Sequence, residues 1–206
     1  MKHFETEFKW DANTPRAFAQ MRAAWRRVPG LKPAAPEKLH ICDVYLDTPA
    51  GDLARELIAL RVRCTDGKWE ATYKTRTAML NGKAVRREET LPLPGVQNQA
   101  DALAFLAAKK TWQGVPLQDL KALFEIRNRR QTVNLFYDGA TAEMAFDAFE
   151  IRVAGRRVLM KEIELEHKQG RVEQTEQLAE KLTRESGLTY AKISKVKTAG
   201  ELLKLW

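Results

Sequence analysis

The chain has 206 residues, 44% hydrophobic and 30% charged, and its 35 Lys plus Arg against 27 Asp plus Glu give a formal charge of +8. That composition excludes a disordered chain and leaves room for one large domain or two small ones. The basic excess suits an anionic partner: nucleic acid, an acidic membrane face or a phosphorylated small molecule.

The first predicted element is a strand over "HFETEFKWD", residues 3–11. Strand side chains alternate faces, so Phe4, Thr6, Phe8 and Trp10 form one row and Glu5, Glu7 and Lys9 the other. Glu5 and Glu7 follow the N-terminus too closely for a secretory leader, and no apolar run reaches the roughly 20 residues a membrane helix needs. The sequence therefore predicts a soluble, cytoplasmic protein. In "ANTPRAFAQMRAAWRRVPG" a helix is capped by Asn13 or Thr14, with Pro15 at its first position. It buries Phe18, Met21 and Trp25 and stops at Pro29-Gly30.

Short strands follow: "HICDVYLDT", "LIALRVRCT", "WEATYKTR" and "AVRREETLPL", with hairpin turns at Asp66-Gly67 and Asn81-Gly82. Cys42 and Cys64 match no metal or redox spacing and read as two reduced thiols in strands. A helical insert is predicted at roughly Asn98–Lys110 and Pro116–Leu123. Strands return with "FEIRNRRQTVNLFY", "ATAEMAFDAFEIRV", an Ala154-Gly155 turn and "RRVLMKEIELEHK". A helix from about Val172 to Ser186, ending at Gly187, precedes "YAKISKVKTAGELLKLW". Eight or nine strands at hairpin spacing imply a largely antiparallel sheet or barrel with helices on one side, an α+β fold rather than alternating βαβ.

The charged rows recur. Arg61 and Arg63 oppose Leu60, Val62 and Cys64, while Glu70, Thr72 and Lys74 oppose Ala71 and Tyr73. Arg127 pairs with Arg129, Glu143 with Asp147, and Glu162 with Glu164 and Glu166. A solvated outer face explains any one such row. Same-sign neighbours repel, however, unless opposite charge lies between them, and these rows lack the Thr, Ser and Gln that dilute a wet face. A sheet curled shut around them would make a wide, ion-filled tunnel. Glu clusters without nearby His or Cys prefer hard cations such as Mg²⁺ or Mn²⁺, and Arg and Lys hold phosphate oxygens. Acids and bases in one cavity suit metal-assisted phosphoryl transfer.

Glu5-x-Glu7-x-Lys9 resembles the ExExK signature of the CYTH domain, the triphosphate tunnel metalloenzyme family. The order continues through "VYLDTP", "LRVR", Lys74, "RREETLPL", Arg127/Arg129/Arg130, "EMAFD", "EIELE" and Ser194-Lys195, which covers essentially the whole chain. The resemblance implies a closed eight-stranded antiparallel β-barrel with helices packed outside. It makes 1–206 a single domain with a helical insert at about 95–123 and no CHAD domain. Two departures stand out: Thr90 replaces an acid of many relatives, and "SKVKTAGEL" lacks the glycine-aromatic pair after Ser-Lys.

By position, the resemblance implies metal ligation of Mg²⁺ or Mn²⁺ by Glu5, Glu7, Glu162 and Glu164. Glu143 and Asp147 would complete a second metal or position water, and Glu88 would touch a metal or pair with the bases. Lys9, Arg61, Arg63, Lys74, Arg86, Arg127, Arg129 and Lys195 would cradle phosphates, and Glu5, Glu7, Lys9 and Asp147 would be catalytic. Arg130 shares a face with Ile126 and is expected outside. Glu166 is expected to be solvated, Glu70 and Thr72 are undecided, and His3, His40 and His167 read as surface residues. Asp47 is expected to order the Thr48-Pro49 turn. The implied activity is hydrolysis of inorganic triphosphate to pyrophosphate and phosphate. Alternatives are another triphosphate (thiamine or nucleoside), a class IV adenylate cyclase or a non-catalytic polyphosphate binder. The expected partner is a triphosphate-bearing small molecule, with neither nucleic acid nor membrane, in a monomer or homodimer.

Overall fold

The structure is a computed structural model that describes residues 3–75, 82–192 and 195–202. Asn81 of the predicted Asn81-Gly82 turn, Ser194 of the Ser-Lys pair and the side chain of His3 lie outside the described residues.

Strand β1 (His3–Asp11) leads to helix α1 (Ala17–Trp25), which begins two residues later than Pro15 suggested. A short β2 (Lys32–Pro33) precedes β3 (Glu37–Asp47), one helical turn α2 (Asp52–Arg55), β4 (Ile58–Thr65), β5 (Lys68–Thr75) and β6 (Lys83–Pro92). Helix α3 (Gln99–Lys109) and the ribbon β7 (Thr111–Trp112) and β8 (Val115–Pro116) form the insert. Strands β9 (Lys121–Tyr137), β10 (Ala140–Val153) and β11 (Arg156–Gln169), then α4 (Val172–Ser186) and α5 (Lys195–Leu202), complete the chain.

Every strand pairing is antiparallel, in the order β10-β11-β1-β6-β5-β4-β3-β9, and β9 pairs back onto β10. That last pairing closes an eight-stranded barrel and leaves no free edge; β2 is appended to β9. The turns supply the left-handed backbone that tight hairpins need, as at Asp66-Gly67 (φ 47° and 85°) and Ala154-Gly155 (φ 47° and 74°).

The outer wall is apolar where helices cover it. Phe8, Trp10, Phe146, Ile163 and Leu165 meet Met21 of α1 and Leu178 and Leu182 of α4. Leu60, Val62, Ala71 and Tyr73 pack with Ala102 and Leu106 of α3. Each large side chain fully buried there contributes roughly 1.5–3 kcal/mol, which holds the barrel shut around an interior that is costly to bury. A third cluster lies within the barrel. Tyr45, Phe124, Ile126, Phe149, Ile151 and Val153 close one end of the interior against Ala199 of α5.

Two expectations about local structure fail. Pro116–Leu123 is not a helix: Pro116 pairs with Thr111, and Lys121 and Ala122 are already paired with Asp47 and Leu46 of β3. Sheet pairing outcompetes a weak helical pattern, and Asp119 at φ 62° breaks it. The facing of β9 is also opposite to expectation. Phe124 and Ile126 point inward as part of the apolar floor, so Asn128 and Arg130 follow them inward, while Arg127 and Arg129 are exposed on the outer wall. Among the described residues no helix is long and apolar enough to cross a membrane.

Candidate active site

Above the apolar floor, the inward rows of the barrel carry its buried charged residues. Arg86 of β6 faces Glu5 across β1, with Nε donating to Glu5 Oε2 at 2.7 Å and Nη2 lying 2.5 Å from Glu7 Oε1. Lys74 of β5 donates to the same Glu5 oxygen at 3.2 Å and pairs with Glu88. Burial alone would raise the Glu5 pKa, but Lys74 and Arg86 outweigh it and hold the carboxyl far below the usual range. Burial raises Glu88, with the Glu5 charge adding to it against Lys74. Burial, Arg86 and Arg61 together pull the Lys74 ammonium down.

A second group centres on Lys9. Its Nζ lies 2.5 Å from Glu164, 3.2 Å from Glu7 and 3.6 Å from Glu162. Lys195, projecting from α5, pairs with Asp147 and sits 2.9 Å from Glu164 and 3.7 Å from Glu162. Arg130 grips both oxygens of Asp147, at 2.7 and 2.6 Å, and donates to Glu164 at 2.6 Å. Asn128 adds a bond to Asp147 Oδ1 at 2.8 Å. Burial would raise the pKa of Glu164, yet Lys195, Lys9 and Arg130 hold it well below normal. Glu162 receives no comparable hydrogen bond; burial pushes its pKa up to about 7 against the pull of Lys195 and Lys9.

A third group lies between β3 and β4. Asp43 accepts from Arg63 Nε at 2.6 Å and Nη2 at 2.8 Å, and from Arg61 Nη1 at 3.3 Å.

The structure thus brings Glu5, Glu7, Lys9, Arg61, Arg63, Lys74, Arg86, Glu88, Asp147, Glu162, Glu164 and Lys195 into one interior. Glu143 is separate, 3.6 Å from Lys168, which also pairs with Glu166 at 2.8 Å. Arg127 and Arg129 are outside, and Arg127 is spent on Glu125. Thr90 is exposed, and Glu70 is half-buried in the inward row opposite Arg63. Asp47 accepts from the backbone N–H of Thr48, Leu53 and Ala54 at 2.7–3.0 Å, ordering the turn and capping α2. His40 is exposed, whereas His167 is half-buried against Thr175, with Nδ1 to Oγ1 at 2.8 Å.

Sequence reasoning missed Asp43, Asn128 and Arg130. Asp43 was findable, since it is in the same alternating row as Tyr45 and directly opposite Arg63. The two residues of β9 were hidden by the inward-facing apolar segment that precedes them.

The sequence pattern that defines the CYTH domain matches residues 3–199. The chain belongs to the CYTH family. A relative, the inorganic triphosphatase of Haemophilus influenzae, is 27% identical over 161 residues, covering 78% of this chain and 45% of that protein. The chain therefore spans less than half the length of that relative. Similar solved structures include a putative adenylyl cyclase from Hippeastrum, described as having a dominant triphosphatase activity (TM-score 0.65, 22% identity, 96% of this chain and 95% of that one). Another is the PH1819 protein of Pyrococcus horikoshii (TM-score 0.60, 20% identity, 98% and 99%). At these identities the likeness establishes the fold.

CYTH triphosphatases are generally metal-dependent, and the interior can be tested for that on its own atoms. Among the described residues, the buried side-chain atoms without a hydrogen bond include Arg61 Nε, Thr72 Oγ1, Asn128 Oδ1 and Glu162 Oε1, all in the inward rows. Groups buried without partners are costly, and one of these is a carboxylate oxygen, Glu162 Oε1, 3.6 Å from the Lys9 ammonium. All the acidic donors are oxygen, which suits a hard divalent cation. No three acids among the described residues stand together as a ready cage; ammonium and guanidinium groups stand between them. The residue types fit a divalent cation once those pairs exchange partners.

Proposed function

We propose that this CYTH protein hydrolyses inorganic triphosphate to pyrophosphate and phosphate with Mg²⁺ or Mn²⁺. The observation that carries the reading is the balance of charge in the enclosed interior. Among the described residues, Lys9, Arg61, Arg63, Lys74, Arg86, Arg130 and Lys195 interleave with Glu5, Glu7, Asp43, Glu88, Asp147, Glu162 and Glu164. A pure anion receptor gains nothing from carboxylates interleaved with its cations. A lumen whose bases are offset by acids takes up a polyanion when cations accompany it.

In this reading Arg61, Arg63, Lys74, Arg86 and Lys9 bind phosphate oxygens and neutralise charge on the group being transferred. Glu5, Glu7, Glu162 and Glu164 hold the cation. When bound, the cation neutralises phosphate charge and lowers the pKa of attacking water. Asp147 already accepts from Arg130, Asn128 and Lys195, so its part is to set those cations in place. The apolar floor bars water and charge from one end, so the phosphate chain lies in the charged segment above it. The name of the Haemophilus relative supports the same substrate.

The test is a phosphate-release panel over inorganic triphosphate, thiamine triphosphate, ATP and pyrophosphate, each with Mg²⁺, Mn²⁺ or chelator. Release from inorganic triphosphate well above the others, abolished by chelator, is expected. No release from any triphosphate with either metal would overturn the proposal.

A further inference from the structure

Asp43 is an inward, buried acid that the motif reading did not use. It is 5% exposed and directly opposite Arg63 in the β3–β4 ladder. It takes Arg63 by the Nε–Nη2 edge, at 2.6 and 2.8 Å, and Arg61 by Nη1 at 3.3 Å. Burial opposes its charge, yet Arg61 and Arg63, with help from Arg130, hold the carboxyl far below the usual range. Arg61 Nε is meanwhile buried with no hydrogen bond, and Arg63 Nη1 takes no part in the fork.

The fold does not need this pair for stability. Backbone pairing already joins β3 to β4, and the outward Val44, Leu46, Leu60 and Val62 pack against the insert. Buried ion pairs return little net stability for their desolvation. They do fix geometry: a bidentate guanidinium–carboxylate fork locks the plane and rotation of a long, flexible side chain. Resting on the triphosphate reading above, we propose that Asp43 is a positioning residue that holds Arg61 and Arg63 as one rigid pair. Their remaining N–H groups, Arg61 Nε and Arg63 Nη1 among them, then meet a phosphate without first losing side-chain freedom. A single carboxylate thereby sets affinity for the substrate while touching only the residues that bind it.

The experiment is calorimetric titration of the full chain with inorganic triphosphate and Mg²⁺, at a temperature well below melting. Asp43→Asn places an amide N–H against an arginine donor and breaks the fork. It is expected to weaken binding about tenfold or more, with kcat at saturation changed less than about threefold. In a cycle with Arg63→Gln, the double variant is expected to lose at least about threefold less than the product of the single losses. Wild-type affinity in D43N overturns the proposal, as do tighter binding (a merely repelling charge) and losses that simply multiply. Should D43N alone not fold, the charge-balanced D43N/R63Q carries the test. It is expected to bind about as weakly as R61Q/R63Q, and binding as tight as R63Q alone overturns the proposal. A folded wild type that binds no triphosphate sinks the underlying function as well, which separates the two failures.

Discussion

Arg130 closes a two-point grip on Asp147, Nε to Oδ1 at 2.7 Å and Nη2 to Oδ2 at 2.6 Å, and the same Nη2 reaches Glu164 at 2.6 Å. One guanidinium thus serves two buried carboxylates on neighbouring strands. Arg130→Met leaves both short of a donor, and a broken buried pair costs about 3–5 kcal/mol, or roughly 6–20 °C of melting temperature here. Lys195 and Asn128 still hold Asp147, so the lower end of that range is expected. Arg127→Ala and Arg129→Ala, on the outer wall, are expected to leave melting and triphosphate turnover close to wild type. Thermal melts and phosphate release on the three variants check this; a larger effect from Arg127 or Arg129 than from Arg130 would reverse the assigned facing of β9.

That facing shows what the sequence could and could not tell. An antiparallel sheet or barrel was legible because most strands set charged residues on one face against apolar residues on the other, and its closure was implied by the family resemblance. The alternation in β1, β4, β5, β6, β10 and β11 placed Glu5, Arg61, Lys74, Arg86, Asp147 and Glu162 in the interior. In β9 the rule inverts, because Phe124 and Ile126 build a dry floor inside the barrel and share a row with Arg130. Local alternation cannot report which side of a strand is the lumen when both sides are apolar at some point along it. The short α2 was likewise invisible, since its cap is the Asp47 carboxylate acting six and seven residues away rather than at a standard cap position.

The raised pKa of Glu162 has a definite sign for stability. Its folded value of about 7 lies above the ordinary 4.5, so between those values the folded chain keeps a proton that the unfolded chain has released. Stability from this source is complete below about pH 4.5 and is lost as pH rises through about 7. Glu88 and Glu166, also raised, act in the same direction. Glu5, Asp43, Asp147 and Glu164 are held low, and their contribution is present above about pH 4 and lost as pH falls. Metal-free protein is therefore expected to melt highest near pH 5 and lower at pH 8, with a visibly shallower decline in Glu162→Gln. Melts at several pH values check it, and an identical decline in the variant would remove Glu162 as the cause.

Gly82 is needed for both its backbone and its lack of a side chain. It sits at φ +76°, and a Cβ there would lie 2.1 Å from Cδ1 of Tyr190. Tyr190 stacks on Trp10, with ring centroids 5.5 Å apart, and the chain around it is tied to β1 through Gly82 O to Lys9 N–H and Lys9 O to Ala191 N–H. Gly82→Ala is expected to cost about 1–2 kcal/mol for the left-handed backbone alone, and more for pushing Tyr190 off Trp10. Tyr190→Ala should remove the second part, so the double variant is expected to lose less than the sum of the singles. Denaturant melts of the four proteins read this directly; strictly additive losses would mean that the ring yields without resistance.

Glu7 separates folding from chemistry most cleanly. Its Oε1 lies 2.5 Å from Arg86 Nη2, and its Oε2 lies 3.2 Å from Lys9 Nζ. Arg86 keeps Glu5 and Lys9 keeps Glu164 if the charge on Glu7 is removed, so Glu7→Gln strands no cation. The same substitution removes a carboxylate charge that a hard cation would draw on once Arg86 and Lys9 turn to phosphate. Melting is therefore expected within a few degrees of wild type, while metal-dependent phosphate release falls by about a hundredfold or more. Mn²⁺ titration followed by electron paramagnetic resonance should show weakened binding in parallel. Turnover equal to wild type would detach Glu7 from the reaction, and lost turnover with intact Mn²⁺ binding would move its role from the cation to the phosphate-binding residues around Lys9.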